Sequence, residues 1–262
     1  MRRFVHELGA RARGALIALG DLAALVWLGL RSLPDLAGPA FRVVSQVTVR
    51  QIFFTGNQAL PLTGLIAFLI GAIVVIQAIT RLPGLGVEAF AGDLLVVAVM
   101  RELGPVIAAV IVIGRSGTAI AAEMATMRLR GEVADLETMG IDPVPYLFLP
   151  RLVGTIVALF SLMIYFDLLA VAGGYAALGL QTTAPFSTFL GNVAHSLKGP
   201  DLALLPIKAI LFGGMIAVFA CHRGLSVEAS PTEIPQAATR AVVLSLVGIF
   251  VADYVLAALV YA

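Results

Sequence analysis

Long apolar runs separated by shorter polar segments dominate the chain from about residue 60 onward. Each run is close to the ~20 residues that a helix needs to cross a hydrocarbon core of about 30 Å. We predict five transmembrane helices, at about 60–80, 94–113, 152–180, 202–221 and 241–261. The pattern therefore predicts an all-α integral membrane protein.

The N-terminal part, residues 1–40, has a different pattern. Residues 14–30 are apolar apart from Asp21, include Trp27, and follow an arginine-rich start. Their length of 17 residues is at the lower limit for a span, and the cationic flank favours a helix that lies in the membrane interface. A true span remains the alternative, and a signal peptide is disfavoured because no Ala-x-Ala cleavage pattern follows. We therefore divide the chain into an interfacial helix at 1–40 and a membrane domain at 41–262, with 41–54 an amphipathic lead-in.

Composition supports a polytopic membrane protein. Hydrophobic residues make up 60% of the chain and charged residues 13%, against about 45–50% and about 25% in soluble domains. The net charge of +1 gives no reason to expect a nucleic-acid partner. No Walker-type nucleotide loop, metal-ligand spacing or catalytic elbow is found, so we expect no enzymatic activity, no metal and no nucleotide cofactor bound by this chain.

Lysine and arginine positions predict the orientation. The arginines are concentrated in the N-terminal arm and in the polar connections at 114–151 and 222–240, whereas mainly Arg81 and Lys198 lie on the other side. We therefore predict a cytoplasmic N-terminus and, after five spans, a C-terminus on the periplasmic side.

Charged residues interrupt the second span. Arg101 and Glu102 are adjacent, so on a helix they point about 100° apart and each needs its own partner. Pro105 also frees the backbone carbonyl of residue 101. We predict a polar, partly hydrated cavity between helices, with a purely structural brace as the alternative. Arg240 is one candidate counter-charge, although from the residues alone ordinary anchoring at the membrane surface is favoured for it.

Three other spans contain isolated charges. Asp167 is expected to form a hydrogen bond between helices, Lys208 to extend its ammonium to the interface, and Asp253 to lie near the end of its span. The pairs Gly173-Gly174 and Gly213-Gly214 indicate close helix packing rather than sites.

The segment 121–137 is predicted to form a short cytoplasmic helix. Its exposed methionines and mixed charges suit docking onto a partner protein, because methionine adapts to irregular grooves. A solvated helix held by internal salt bridges is the alternative. The residues assigned to this surface are Glu123, Met124, Met127, Arg128, Arg130, Glu132, Asp135 and Glu137.

Several short motifs together resemble the MlaE/YrbE permease family from Val49 to the C-terminus. They are Arg-Glu-Leu-Gly-Pro (101–105), Gly-Arg-Ser-Gly (114–117), Ala-Ala-Glu-Met (121–124), Met-Gly-Ile-Asp-Pro (139–143), Pro-Arg (150–151) and Ala-Thr-Arg (238–240). The chain departs from the family pattern at Gly131, which would interrupt the helix at 121–137.

The resemblance implies the permease subunit of an ATP-binding-cassette (ABC) transporter in the inner membrane that moves phospholipid between the two membranes of a diderm bacterium. It implies a homodimer that works with an MlaF-like ATPase, which binds the ATP and magnesium, an MlaD-like MCE protein and often an MlaB-like STAS subunit. The helix at 121–137 would be the coupling helix that contacts the ATPase. The residues that would line the lipid cavity or brace it are Arg50, Gln77, Arg101, Glu102 and Arg240.

Two other functions remain open from the residues alone. A self-sufficient ion- or proton-coupled carrier could use Glu102, Asp167 and Asp253 as a relay, although no inverted repeat supports it. An intramembrane lipid enzyme is disfavoured because no nucleophile or metal constellation is found.

Overall fold

The computed structural model describes residues 41–81, 87–180, 185–228 and 230–261. Within these ranges the chain forms nine α-helices and no β-strand. Five helical segments are long and apolar enough to cross a membrane, which confirms the predicted fold class. The predicted interfacial helix at 1–40 lies outside the described residues.

The first helix, α1 (Phe41–Arg81), is continuous over 41 residues. The predicted lead-in at 41–54 and the predicted span at 60–80 therefore belong to one helix of about 60 Å. Pro61 lies inside it without ending it, as proline often does in membrane helices whose neighbours compensate the lost hydrogen bond.

The second span belongs to a longer helical rod. It consists of α2 (Val87–Leu94), α3 (Gly104–Val112) and α4 (Thr118–Leu129), joined by π-helical turns at Leu95–Leu103 and Ile113–Gly117. The prediction that a polar connection begins at residue 114 was therefore wrong, because the helical rod continues to Leu129. The π turns accommodate the proline and glycines of this stretch because their wider hydrogen-bonding pattern, such as Gly104 N–H to the Val99 carbonyl, continues the helix.

The predicted helix at 121–137 is divided at Gly131. The rod ends at Leu129, Gly131 adopts a left-handed backbone with φ of 79°, and α5 (Glu132–Thr138) follows. The interruption expected from Gly131 is therefore present, because glycine takes this conformation without a steric penalty.

We expect Gly131→Ala to lower the free energy of unfolding by about 1 kcal/mol, because a Cβ disfavours the left-handed region by roughly that amount. Gly114→Ala is the matched control: a Cβ there meets nothing within 4 Å and Gly114 has no positive φ. Denaturation in mixed micelles measures both variants. Equal stabilities of the two variants would contradict the prediction.

The remaining elements complete the bundle. They are a π turn at Val144–Phe148, α6 (Leu149–Gly179), α7 (Phe186–Ser196), α8 (Gly199–Leu225), a 3-10 turn at Pro231–Glu233 and α9 (Ile234–Tyr261). Successive spans alternate in direction, so α5 and α7 lie at opposite ends. We call these the α5 end and the α7 end.

Helices α1 and α6 form the closest contact in the bundle. Gly71 of α1 faces the backbone of Ala170, and Gly173 of α6 faces the backbone of Phe68, so closely that neither glycine has room for a Cβ. The expected packing role of Gly173 is thus confirmed. The adjoining apolar core joins α1, α3, α6, α8 and α9 through buried side chains such as Leu162, Phe212 and Ile249.

Candidate functional site

Arg101 forms a buried ion pair with the first turn of α8. Its Nε lies 2.8 Å from Asp201 Oδ1, and its Nη2 donates a hydrogen bond of 2.9 Å to Oδ2. The two side chains are 12% and 5% exposed. Asp201 also accepts from the Lys198 N–H at 2.9 Å. Such a two-point contact fixes orientation as well as distance, so it holds α8 firmly against the rod.

Lys208 is the centre of a second group of charges. Its ammonium lies 2.7 Å from Asp253 Oδ1 on α9 and 3.2 Å from Glu102 Oε2, and it donates to the Arg101 carbonyl at 2.6 Å. The side chain is 2% exposed. The expectation that Lys208 reaches the interface was therefore wrong, because three acceptors from two other helices hold its three donors inside the bundle.

The partners explain the sequence of the second span. Arg101 and Glu102 have separate partners on α8, as the 100° angle between neighbours requires. In an α-helix, Pro105 would leave the Arg101 carbonyl without its N–H partner, and here that carbonyl accepts from Lys208. Both expectations are confirmed. Arg240 is not the counter-charge: it is exposed and lies 13 residues before Asp253 on α9, or about 20 Å along the helix.

A cavity of about 70 Å³ adjoins both ion-paired groups. Asp167, which is 8% exposed, lines it, and its Oδ1 has no hydrogen-bond partner among the described residues. The predicted interhelical hydrogen bond is therefore absent at this atom. The cavity is lined by Met100, Arg101, Pro105, Asp167, Leu197, Asp201, Leu202, Leu204, Leu205 and Lys208.

The other candidate cavity residues lie elsewhere. Arg50 is exposed on the first turns of α1 at the α5 end, and Gln77 is exposed near the end of α1 at the α7 end. Of the five candidates, the structure brings together only Arg101 and Glu102. Sequence reasoning missed Asp201. It could have been found from its position seven residues before Lys208, because that spacing places both side chains on one face of a helix.

The predicted docking segment is partly buried. Met124 is fully buried in a core formed with residues such as Phe148 and Val218, so the expectation that it is exposed was wrong. Gly224 of α8 allows this close approach, since a Cβ there would lie 2.5 Å from that of Met124. Met127 is half-buried.

Glu123 is also occupied within the chain. Its Oε1 accepts a hydrogen bond of 3.0 Å from Arg151 Nη2, and Arg151 also donates to the Leu147 carbonyl at 3.0 Å. Arg151 is 7% exposed. This contact ties the end of the rod to the start of α6.

An exposed surface of mixed charge remains at this end. Arg130 and Glu132 approach to 3.7 Å with their side chains largely in solvent, and Met139, which sequence reasoning missed, is 72% exposed. We call this the α5-end surface; it consists of Arg128, Arg130, Glu132, Asp135, Glu137 and Met139.

Comparison with known proteins extends over most of the chain. The family profile described as Permease MlaE matches residues 48–259. A probable ABC transporter permease protein of Rickettsia felis is 32% identical over 213 residues, which cover 81% of this chain and 82% of the relative. The chloroplastic protein TRIGALACTOSYLDIACYLGLYCEROL 1 of Arabidopsis thaliana is 33% identical over 88% of this chain and 67% of the relative.

A third relative matches nearly end to end. The intermembrane phospholipid transport system permease protein MlaE of Haemophilus influenzae is 26% identical over 98% of this chain and 97% of its own length. Together with the five spans and the motifs around Arg101, these matches show that the chain belongs to the MlaE family of ABC transporter permeases.

Proposed function

We propose that this chain is the membrane subunit of an ABC transporter that moves phospholipid between the inner and outer membranes of a diderm bacterium. The observation that carries the proposal is the similarity, over 98% of the chain, to a relative named as an intermembrane phospholipid transport permease. Energy comes from a separate MlaF-like ATPase that binds ATP and magnesium. An MlaD-like MCE protein, often with an MlaB-like STAS subunit, completes the assembly.

The proposed orientation places the α5 end in the cytoplasm and the α7 end at the periplasmic side. The exposed arginines Arg128 and Arg130 at the α5 end support it, because basic residues are enriched on the cytoplasmic side. The N-terminus is then cytoplasmic and the C-terminus periplasmic.

The α5-end surface is the proposed contact with the ATPase. Its exposed charges and Met139 are available. Met124 is buried, and Glu123, although its side chain is 51% exposed, is paired with Arg151. The rod α2–α4 joins this surface to Arg101, which lies 27 residues before Arg128, or about 40 Å along the helix. A movement imposed by the ATPase at the α5 end can therefore reach the buried charges at the α7 end through one continuous element.

The proposed lipid chamber lies between two copies of the chain. Arg50, Gln77 and Arg240 are exposed on the single bundle, so any closed space that they line needs another wall. The proposed homodimer supplies it, and guanidinium groups suit the phosphate oxygens of a lipid. Arg101 and Glu102, in contrast, brace the bundle through their ion pairs.

Reconstitution tests the proposal. The permease, its ATPase and the MCE protein are placed in donor vesicles with fluorescent phospholipid, and ATP-dependent transfer to acceptor vesicles is measured. Transfer that requires all three supports the proposal. Transfer by this chain alone, driven by a proton gradient, would replace it with a secondary carrier.

Charge reversal tests the docking surface. We expect Asp135→Lys with Glu137→Lys to weaken ATPase binding at least tenfold, or about 1.4 kcal/mol, because both carboxylates are exposed on α5 and reversal disturbs charge complementarity. Glu228→Lys, on the other polar connection, is the matched control. Biolayer interferometry in nanodiscs gives the affinities; equal affinities of the reversed and control proteins would exclude this surface.

A further inference from the structure

We propose that the cavity beside Asp167 is a binding site for one monovalent cation, either a proton or a sodium ion. The site is separate from the proposed ATPase contact and from the exposed arginines assigned to lipid. The inference rests on the charge balance of the α7-end cluster, the position of Asp167 and the size and lining of the cavity.

The cluster contains more carboxylates than cations. The cluster contains two positive groups, Arg101 and Lys208. Asp201 pairs with Arg101, whereas Glu102 and Asp253 share Lys208. The four carboxylates of the cluster are Glu102, Asp167, Asp201 and Asp253, which leaves two negative charges without a counter-charge when every group is ionised.

Among the side chains that the structure describes, no other element supplies the missing charge. Helix α1, which packs along α6, has no charged residue between Arg50 and Arg81. Lys198 is exposed, and the side chain of Asp93, eight residues before Arg101 on the rod, accepts from Ser196. Glu102 is 36% exposed, so solvent screens part of its charge. Within the described part of the chain, Asp167 is the buried acid that remains uncompensated.

Asp167 also has the geometry of an open ligand. Only 8% of its surface is exposed, yet its Oδ1 has no hydrogen-bond partner within the described chain. Gly104 lies beside that oxygen, and a Cβ at this position would be only 3.0 Å from it. A buried polar atom without a partner is costly, so a positive charge that binds it from the cavity stabilises the fold.

The cavity restricts what this charge can be. Its volume of about 70 Å³ is well above the roughly 10–15 Å³ that a single water molecule needs. A divalent cation needs about six or more oxygen ligands, but most of the lining is apolar, and Asp201 is occupied by Arg101. No group of three or more metal-ligating side chains occurs in the described residues. A small monovalent cation with water therefore fits best.

Two measurements on the purified full-length chain in nanodiscs distinguish a bound proton from a bound sodium ion. Infrared difference spectra between acidic and alkaline pH detect a protonated carboxyl group, and thermal unfolding in sodium against choline at equal ionic strength detects sodium. For a proton, the folded-to-unfolded ratio changes by up to tenfold per pH unit. For sodium, it rises about tenfold per tenfold increase in concentration above the dissociation constant.

The proposal is supported if the wild type shows either response, and the response that is seen identifies the ion. This response should be lost in Asp167→Asn and kept in Asp142→Asn at the α5 end. Asp167→Ser serves as a second variant if the asparagine protein does not accumulate. The proposal is overturned if the wild type shows neither response, or if the response persists unchanged without the carboxylate. Neither measurement includes lipid transfer or an ATPase, so failure of the proposed transport function leaves its outcome unaffected.

Discussion

Lys208→Met is expected to destabilise the folded chain by about 3–5 kcal/mol, the cost of removing one partner from a buried ion pair. Methionine approximates the length of lysine but leaves Asp253, Glu102 and the Arg101 carbonyl without their donor. Since α9 is held to α8 by this contact among buried groups, its attachment should weaken first. The free energy of unfolding in mixed micelles and the yield of folded protein from membranes measure the effect.

A matched set of variants separates the loss of the buried ion pairs from the loss of a lysine side chain in general. Lys198→Met, at an exposed position, should remain within about 0.5 kcal/mol of the wild type. Adding Asp253→Leu and Glu102→Gln to Lys208→Met should recover part of the loss, because neither acid that pairs with Lys208 is then left as an unpaired charge. A Lys208→Met protein as stable as the Lys198→Met protein would show that the charge cluster does not hold the helices together.

The second large effect is expected at the contact between α1 and α6. Replacing both Gly71 and Gly173 with alanine should cost about 3 kcal/mol or more, since overpacking costs about 1–3 kcal/mol at each site. Each new methyl group would meet backbone atoms of the opposite helix, namely Ala170 and Phe68. Backbone cannot turn aside as a side chain can, so the two helices must separate.

Gly179→Ala, at the last residue of α6, is the control because a Cβ there meets nothing within 4 Å. Alanine favours helix over glycine by about 1 kcal/mol, so this variant should be unchanged or slightly more stable. Thermal unfolding in nanodiscs compares the proteins. If the double variant unfolds at the temperature of the control, the contact is looser than the structure shows.

These two contacts also bear on the proposed transport cycle. The α1–α6 contact is formed by backbone against backbone and is expected to move as one body. The ion pairs of Lys208 and Arg101 join α8 and α9 to the rod through a few directional contacts, which can exchange partners. We therefore expect helix rearrangements during transport to occur at the charge cluster rather than at the glycine contact.

Much of the architecture could be predicted from local pattern. Five apolar runs determine five spans because hydrocarbon imposes a minimum length and requires internal backbone hydrogen bonds. Gly131 interrupts the helix, and Pro105 frees the Arg101 carbonyl, for reasons that act within one turn. Helix ends were less predictable: the rod continues to Leu129 because π turns absorb residues that were expected to end it.

The amino-acid sequence by itself determined the membrane class, the number of spans, the family and the need of Arg101 and Glu102 for separate partners, since all of these depend on residues close together along the chain. Only the tertiary structure decided which partners these are, that Lys208 is buried between two acids, that Met124 lies in the core, and that Asp167 faces a cavity. The physical reason is that each of these facts joins residues from more than 20 to more than 100 positions apart. Such pairs meet only through the rotation and register at which whole helices pack.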